Sequence, residues 1–140
     1  MKMKSKILVT GGAGYIGSHT CKALSRAGYR PVVYDNLCNG HEDFVQWGDL
    51  IRGDLNDIET LEKAIETHSP SAIMHFAAFA YVGESVDDPL KYYANNVAGT
   101  LSLLRAMQKN SVSMIIFSST CALYGIPDEV PISEHEKKRP

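Results

Sequence analysis

Residues 6–17 read Lys-Ile-Leu-Val-Thr-Gly-Gly-Ala-Gly-Tyr-Ile-Gly, an apolar run that breaks into glycines and resumes at helical spacing. The apolar run predicts a buried strand, and the glycines predict a tight turn into a helix. Gly11 or Gly12 allows the sharp turn, because a residue without Cβ can take backbone angles that others cannot. Gly14 allows a ligand to approach the main chain, and Gly17 allows the helix to pack closely on the strand. The stretch therefore predicts an anion-binding turn at a helix N-terminus.

The glycines fit two overlapping patterns that predict the same site. Residues 12–17 match G-x-G-x-x-G, and residues 11–17 match an evenly spaced G-x-x-G-x-x-G. A second predicted strand, over residues 30–34, is followed by Asp35, near the spacing expected for a carboxylate that binds the hydroxyls of an adenosine ribose. This context favours a dinucleotide site over an ordinary tight turn. It also favours a ribose-binding role for Asp35 over that of a solvated acid at a strand end. Because Asp35 would repel a ribose phosphate, we expect NAD rather than NADP.

Composition excludes several other classes of function. A chain of 140 residues suits one domain, and its formal net charge of −2 without a basic stripe argues against nucleic acid or an anionic membrane as a partner. The lysines near the N-terminus precede only a short apolar run, which argues against a signal peptide or a spanning helix, so we expect a cytoplasmic protein. Three cysteines without a C-x-x-C pair argue against a disulfide framework or a metal site.

The rest of the chain predicts strands that alternate with helices. Further strands are expected over residues 50–53, 71–78 and 114–117, and helices over 15–27, from Ile58 and over 89–110, with loops over 36–47 and 79–88. Five such strands predict an α/β fold with a doubly wound parallel sheet, a Rossmann-type fold with strand order 3-2-1-4-5. The pattern shows no sixth strand, internal repeat or second domain.

Two helices carry apolar stripes that would usually face the core. The stripe of the first helix comprises Ile16, Thr20, Ala23, Leu24 and Ala27. The stripe of the long helix comprises Leu90, Tyr93, Val97, Leu101 and Leu104, and an alternative for this helix is a subunit interface. Asn95 and Asn96 lie in the middle of the long helix, where asparagine is unfavourable, so we expect one of their side chains to reach a polar partner.

Polar residues cluster where the predicted strands end, as expected for a ligand crevice in this fold. Asp54 either accepts a hydrogen bond from an adenine amino group or caps the next helix, whereas Asp57 is predicted to be a cap. His75 lies within an apolar strand and is predicted to be a hydrogen-bonded core residue rather than a catalytic group. The loop after the second strand offers donors that face a ligand or form an ordinary polar surface: Asn36, Asn39 and Gly40.

These segments resemble the extended short-chain dehydrogenases, and among them the UDP-glucose 4-epimerases (UDP-galactose 4-epimerases). The likeness extends over nearly the whole chain. Its most specific parts are Val-Gly-Glu-Ser at residues 82–85 and the Tyr-Tyr and Asn-Asn pairs of the long helix. The other segments that carry it are residues 10–20, 35–39, 75–78, 117–120 and 124–125.

The resemblance implies NAD-dependent epimerisation at C4 of a UDP-hexose through transient oxidation to a 4-keto sugar, and a homodimer for the full-length family member. It implies that Thr120 bonds the sugar O4, helps to pass its proton and also contacts the cofactor. Carried over by position, the other cofactor-binding residues are Gly11, Gly14, Tyr15, Ile16 and Gly17 at the pyrophosphate, Asp35, Asn36, Asn39 and Gly40 at the adenosine ribose, Asp54 and Leu55 at adenine, Phe76, Ala77 and Ala78 towards nicotinamide, and Asn95 on the long helix.

The sequence departs from the family pattern at two points. Ala80 stands where many members carry a lysine that reaches the cofactor, and no lysine of the chain completes the Tyr-x-x-x-Lys motif that supplies the base. We therefore expect residues 1–140 to be an incomplete NAD-binding domain that stops before the sixth strand, the base and the substrate domain, and that does not turn over sugar. A UDP-pentose 4-epimerase and a non-catalytic NAD-binding module are the alternatives.

Overall fold

The computed structural model describes residues 5–140. Its centre is a parallel sheet whose strands lie in the order β3-β2-β1-β4-β5. The predicted doubly wound fold and its strand order are therefore confirmed. The strands are β1 (Lys6–Thr10), β2 (Arg30–Asp35), β3 (Asp49–Arg52), β4 (Ala72–His75) and β5 (Ile115–Phe117).

The register of the sheet brings the carboxyl ends of its central strands to one edge. Thr10, at the end of β1, pairs with Tyr34 of β2 on one side and with His75 of β4 on the other. Leu8, Val9, Val32, Val33 and Ile73 are fully buried, as expected for parallel strands covered on both faces. The residues that follow Thr10, Tyr34 and His75 consequently share one edge of the sheet.

The first two α-helices begin where the sequence predicts. Helix α1 (Tyr15–Arg26) is followed by Gly28 with a φ of 88°, a backbone conformation that favours glycine. Helix α2 (Ile58–His68) is capped by Asp57, whose Oδ1 accepts a hydrogen bond from the Thr60 amide at 3.2 Å. Leu61, Ala64 and Ile65 form the buried apolar stripe of α2.

The predicted stripe of α1 is confirmed only at Leu24, which is partly buried against the core; otherwise it is wrong, because small residues face the sheet instead. Gly17, Ser18 and Cys21 are buried, whereas Ile16 is exposed. A Cβ on Gly17 would collide with the carbonyl oxygen of Gly11, so the helix lies too close to the glycine turn at residues 11–14 for larger side chains. The desolvation of Cys21 raises the pKa of its thiol to about 12.

The long helix extends almost as predicted, but its apolar stripe faces outward. It consists of α4 (Pro89–Tyr92), a π-helical segment (Tyr93–Ala98) and α5 (Gly99–Lys109). Gly99, Leu103, Ala106 and Met107 are buried, and the last three belong to the core cluster shared with α2. The residues of the predicted stripe are all exposed, from Leu90 at 77% to Leu104 at 43%: Leu90, Tyr93, Val97, Leu101 and Leu104.

The segment between β4 and the long helix also differs from the prediction. The strand predicted over residues 71–78 ends at His75, because its partner β1 ends at Thr10 and Phe76 makes the last amide hydrogen bond to Thr10, at 2.9 Å. The loop predicted over residues 79–88 contains helix α3 (Val82–Asp87). None of the helices within residues 5–140 is long and apolar enough to cross a bilayer.

Candidate dinucleotide-binding cleft

An open cleft lies at the carboxyl edge of the sheet, where β1, β2 and β4 end. We call its two sides the turn wall (Gly11, Gly14 and Asp35) and the β4 wall (residues 76–79 and Asn95). The residues that line the whole cleft are Gly11, Gly14, Tyr34, Asp35, Asn36, Cys38, Asn39, Gly40, Gly53, Leu55, Phe76, Ala77, Ala78, Phe79 and Asn95.

The turn wall is built from main-chain atoms that leave no space for side chains. Gly11 has a φ of 72°, and a Cβ at this position would lie 2.6 Å from the Ala77 amide nitrogen. The Gly14 amide donates to the Gly11 carbonyl at 3.1 Å and closes the turn. A Cβ on Gly12 would meet the Val33 side chain at 2.9 Å, so both overlapping glycine patterns reflect steric requirements. The open end of α1 lies beside this turn, which suits a bound phosphate.

Asp35 is a nearly buried carboxylate held by two main-chain amides. Its Oδ2 accepts from Ala13 N at 3.0 Å and its Oδ1 from Leu37 N at 2.8 Å, and the residue is 8% exposed. The alternative of a solvated strand-end acid is therefore wrong. A carboxylate has about four acceptor positions, so two remain for hydroxyl donors in the cleft that Asp35 lines.

Asp54 organises the loops beside the cleft and does not line it. Its Oδ2 accepts a hydrogen bond from the side-chain amide of Asn36 at 2.7 Å, and its Oδ1 accepts one from the main-chain N of Asn56 at 2.9 Å. Burial opposes ionisation of this carboxyl, but the hydrogen bonds from Asn56 and Asn36 outweigh it and lower its pKa. The Tyr34 hydroxyl donates to the Asp54 carbonyl at 2.8 Å. Asp54 thus fixes the position of Asn36, which does line the cleft.

The β4 wall is held by side-chain hydrogen bonds from the π-helical segment. Asn96 accepts from Phe79 N at 2.9 Å and donates to Phe79 O at 3.0 Å, so that one side-chain amide binds both polar groups of the same residue. Asn95 donates to Asn96 Oδ1 at 2.8 Å and itself lines the cleft. The expectation that one asparagine reaches a polar partner is confirmed.

His75 is a buried residue whose ring nitrogens both have hydrogen-bond partners. Its Nδ1 lies 2.6 Å from Thr10 Oγ1 and its Nε2 lies 3.1 Å from Thr100 Oγ1, and the residue is 3% exposed. Burial lowers the pKa of the imidazole. The prediction of a hydrogen-bonded core histidine is confirmed.

Five of the predicted site residues lie outside the cleft lining: Tyr15, Ile16, Gly17, Asp54 and Thr120. Tyr15 and Ile16 are exposed in the first turn of α1, and Gly17 packs against Gly11 and Gly12 of the glycine turn. Thr120 lies beyond β5, where its Oγ1 accepts from Ala122 N at 3.1 Å and caps a short 3₁₀ turn (Cys121–Tyr124).

Sequence reasoning missed four residues that line the cleft: Tyr34, Cys38, Gly53 and Phe79. Tyr34 and Gly53 could have been predicted, because they lie at or just beyond strand ends, where ligand crevices form in this fold. Gly53 has a further constraint, because a Cβ would collide with the Tyr34 ring. Phe79 follows the predicted Phe-Ala-Ala segment directly, but its link to Asn96 is not visible in the sequence.

A scan of family models matches residues 7–140 to the NAD dependent epimerase/dehydratase family. The chain belongs to this family. The matched range includes every residue that lines the cleft. A "UDP-glucose 4-epimerase" of Rhizobium meliloti (strain 1021) is 57% identical over 136 residues, and a "Probable UDP-arabinose 4-epimerase 3" of Oryza sativa subsp. japonica is 46% identical over 144 residues.

Solved structures show that the likeness extends to the three-dimensional fold. The crystal structure of a UDP-glucose 4-epimerase from Brucella ovis in complex with NAD has a TM-score of 0.88 and 54% identity, and the match covers 97% of this chain and 42% of that one. The Rhizobium meliloti relative is matched over 97% of this chain and 42% of its own length. The chain thus spans about 42% of the length of these relatives.

Proposed function

We propose that this chain forms the NAD-binding part of a UDP-hexose 4-epimerase, with residues 1–140 as its dinucleotide-binding domain. The observation that carries the proposal is the buried Asp35 carboxylate, which keeps free acceptor positions in a cleft beside a glycine turn without space for a Cβ. Similarity to epimerases, among them an NAD complex, supports the same assignment.

The residues of the cleft fit the two halves of NAD. The amides at the start of α1 suit the pyrophosphate, Asp35 suits the adenosine ribose diol, and Asn36, Asn39 and Gly40 suit the remainder of the adenosine. The β4 wall suits the nicotinamide half, since Ala77 and Ala78 leave space for a flat ring. When bound, NAD supplies hydride acceptance from C4 of the sugar and hydride return.

Thr120 is proposed to hold the reacting hydroxyl of the UDP-hexose. It lies beyond the carboxyl end of β5 and is exposed. Its Oγ1 accepts from Ala122 N, so the hydroxyl hydrogen remains available for donation to the sugar O4, where it can orient that atom and help to pass a proton.

Binding of NADH to this chain tests the proposal directly. We expect NADH fluorescence to rise on binding and NADPH to bind at least tenfold more weakly, because Asp35 would repel a 2′-phosphate. Asp35→Ala should reduce NADH affinity by about 10–100-fold, the range expected when a charged hydrogen-bond acceptor is lost. Equal affinity for NADH and NADPH would contradict the role given to Asp35, and absence of NADH binding would contradict the proposed function.

The same polypeptide should not turn over UDP-galactose, since none of its lysines completes a Tyr-x-x-x-Lys motif to supply the base. Epimerisation at the rate of a complete enzyme would contradict this expectation. A UDP-pentose 4-epimerase is the second candidate, favoured by the 46% identity to the rice relative. A turnover assay that offers UDP-galactose and UDP-arabinose in parallel to the complete gene product distinguishes the two.

A homodimer is proposed through the exposed stripe of the long helix. Leu90, Tyr93, Val97, Leu101 and Leu104 form a run of exposed apolar side chains along one helix, and such surfaces mark interaction sites. Sedimentation of the complete gene product and of its Leu101→Glu variant should show a dimer that the variant loses, and monomers in both samples would contradict the interface.

A further inference from the structure

A chain of hydrogen bonds crosses the interior from β1 to the long helix. Thr10 Oγ1 lies 2.6 Å from His75 Nδ1, and His75 Nε2 lies 3.1 Å from Thr100 Oγ1. The Thr100 hydroxyl in turn donates to the carbonyl oxygen of Asn96 at 2.6 Å. We call these four residues the interior relay. It joins the residue before the phosphate turn to the π-helical segment of the long helix.

The relay permits one direction of hydrogen bonding. The Thr100 hydroxyl has a single hydrogen, which it donates to Asn96 O, so its oxygen must accept from His75 Nε2–H. Burial lowers the pKa of His75 and keeps the ring neutral, which leaves Nδ1 without a hydrogen, as an acceptor for the Thr10 hydroxyl. This assigns the neutral Nε2–H tautomer to His75.

The relay ends on the residue that holds the β4 wall. Asn96 receives the Thr100 hydrogen bond on its main-chain carbonyl and holds Phe79 with its side chain. A threonine hydroxyl that bonds the carbonyl four residues earlier often bends a helix, and here the accepting carbonyl, that of Asn96, belongs to the π-helical segment. Short π-helical segments occur often at functional sites, and this one presents Asn95 to the cleft.

We infer that His75 and Thr100 are positioning residues that fix Asn95 and Phe79 in the β4 wall and thereby set the affinity for the nicotinamide half of the dinucleotide. The inference rests on the proposed function, since it assumes that NAD binds in the cleft. The relay residues are not in the cleft lining, and they act through Asn96. The adenosine half, which faces the turn wall, does not depend on the relay.

The matched variants Thr100→Val and Thr100→Ser test this inference in the full chain. Thr100→Val keeps the shape of the side chain and removes the hydroxyl, whereas Thr100→Ser keeps the hydroxyl. We expect Thr100→Val to weaken NADH binding about tenfold or more, the effect of leaving buried polar groups unpaired, and to leave ADP binding within about twofold. Thr100→Ser should bind both ligands within about twofold of wild type. A general loss of stability would instead lower both affinities together.

Hydrogen exchange of the ligand-free chain separates failure of this inference from failure of the proposed function. The Phe79 amide, which donates to Asn96, should exchange at least tenfold faster in Thr100→Val than in wild type or Thr100→Ser. Equal Phe79 exchange in the three proteins, or equal loss of NADH and ADP affinity in Thr100→Val, would overturn the positioning role. A wild-type chain that binds ADP but not NADH would overturn both the inference and the proposed function. Failure to bind either ligand would contradict the proposed function, and the exchange rates would still decide the role of the relay in holding Phe79.

Discussion

The turn wall and the β4 wall meet at the same cleft, but different parts of the chain hold them in place. The glycine turn of the turn wall packs so closely that neither Gly11, nor Gly17 of α1 beside it, can carry a Cβ. The β4 wall depends on side-chain hydrogen bonds between residues that are 17, 25 and 65 positions apart. The glycines of the first wall can be recognised from residue type and spacing, although Gly11 also packs against Ala77, whereas the second wall is specified by pairs of residues that only the fold brings together.

Replacement of Gly17, which packs against the glycine turn of the turn wall, should have the largest effect. In Gly17→Ala the new Cβ would collide with main-chain atoms of Gly11 and Gly12, which cannot move without displacing the turn. We expect a loss of about 1–3 kcal/mol or more in the free energy of unfolding, as for other overpacked sites, together with loss of NADH binding. Urea denaturation and NADH titration measure the two effects.

Gly83→Ala is the matched control for this variant. Gly83 lies in the exposed helix α3 with nothing within 4 Å of the added Cβ, so the change should stabilise the helix by about 0.5–1 kcal/mol. Similar unfolding midpoints for Gly17→Ala and Gly83→Ala would contradict the steric constraint that we assign to Gly17.

Removal of the Asn96 side-chain amide, which holds the β4 wall, should lower the free energy of unfolding by less than Gly17→Ala does. Asn96→Leu leaves both the amide and the carbonyl of Phe79 without their partner, and we expect a loss of about 1–3 kcal/mol from these partly buried groups. Asn95→Ala removes a neighbouring amide that donates only within the pair and should cost less. Chemical denaturation of both variants measures the difference, and equal losses would show that the Phe79 contacts contribute little.

The pH dependence of stability should reveal His75 through a smaller effect. Burial lowers the pKa of His75 in the folded chain from the usual 6.5, so the unfolded chain binds more protons as the pH falls below 6.5. The stability associated with the neutral ring is complete above pH 6.5 and declines as the pH falls below that value. We expect urea midpoints to fall between pH 7.5 and 5.5 in wild type and to fall less in His75→Gln.

His68 remains in both proteins and leaves a residual slope, since its pKa is also lowered, by burial and then by the charge of Lys6. The groups recorded around the His75 ring are the hydroxyls of Thr10 and Thr100 and the ring of Phe117, none of which is charged. Identical pH slopes for wild type and His75→Gln would show that His75 is not the titrating group.

The sequence predicts the carboxyl edge of the sheet well, but it does not predict which face of a helix is buried. The glycine turn, Asp35 and the Asp57 cap follow from local steric and hydrogen-bonding rules, which leave few alternatives. The buried faces of α1 and of the long helix do not follow from such local rules. A stripe of large apolar residues predicts the buried face only where those side chains are the ones that pack against the sheet. Both helices instead approach the fold through a glycine: Gly17 against Gly11, and Gly99, where a Cβ would lie 3.1 Å from Leu55 Cβ.

The same division applies to the cleft. Asn36, Asn39, Gly40 and the Phe76–Ala78 segment follow strand ends and line the cleft as expected. Asp54 also follows a strand end, yet the amides of Asn36 and Asn56 occupy its carboxylate. Whether a polar side chain faces a ligand or a neighbouring loop depends on contacts across the sheet edge, which the spacing of residues along the chain does not encode.

The strand order has a consequence for the order in which the protein assembles during synthesis. β1 lies at the middle of the sheet, but the partner on one of its sides, β4, is translated 65 residues later. At ribosomal rates of about 5–20 residues per second, this interval lasts roughly 3–13 s. From the completion of β2 at Asp35 until β4 follows, the nascent β1–β2 pair carries an open edge, the kind of surface on which chaperones act and on which misassembly begins.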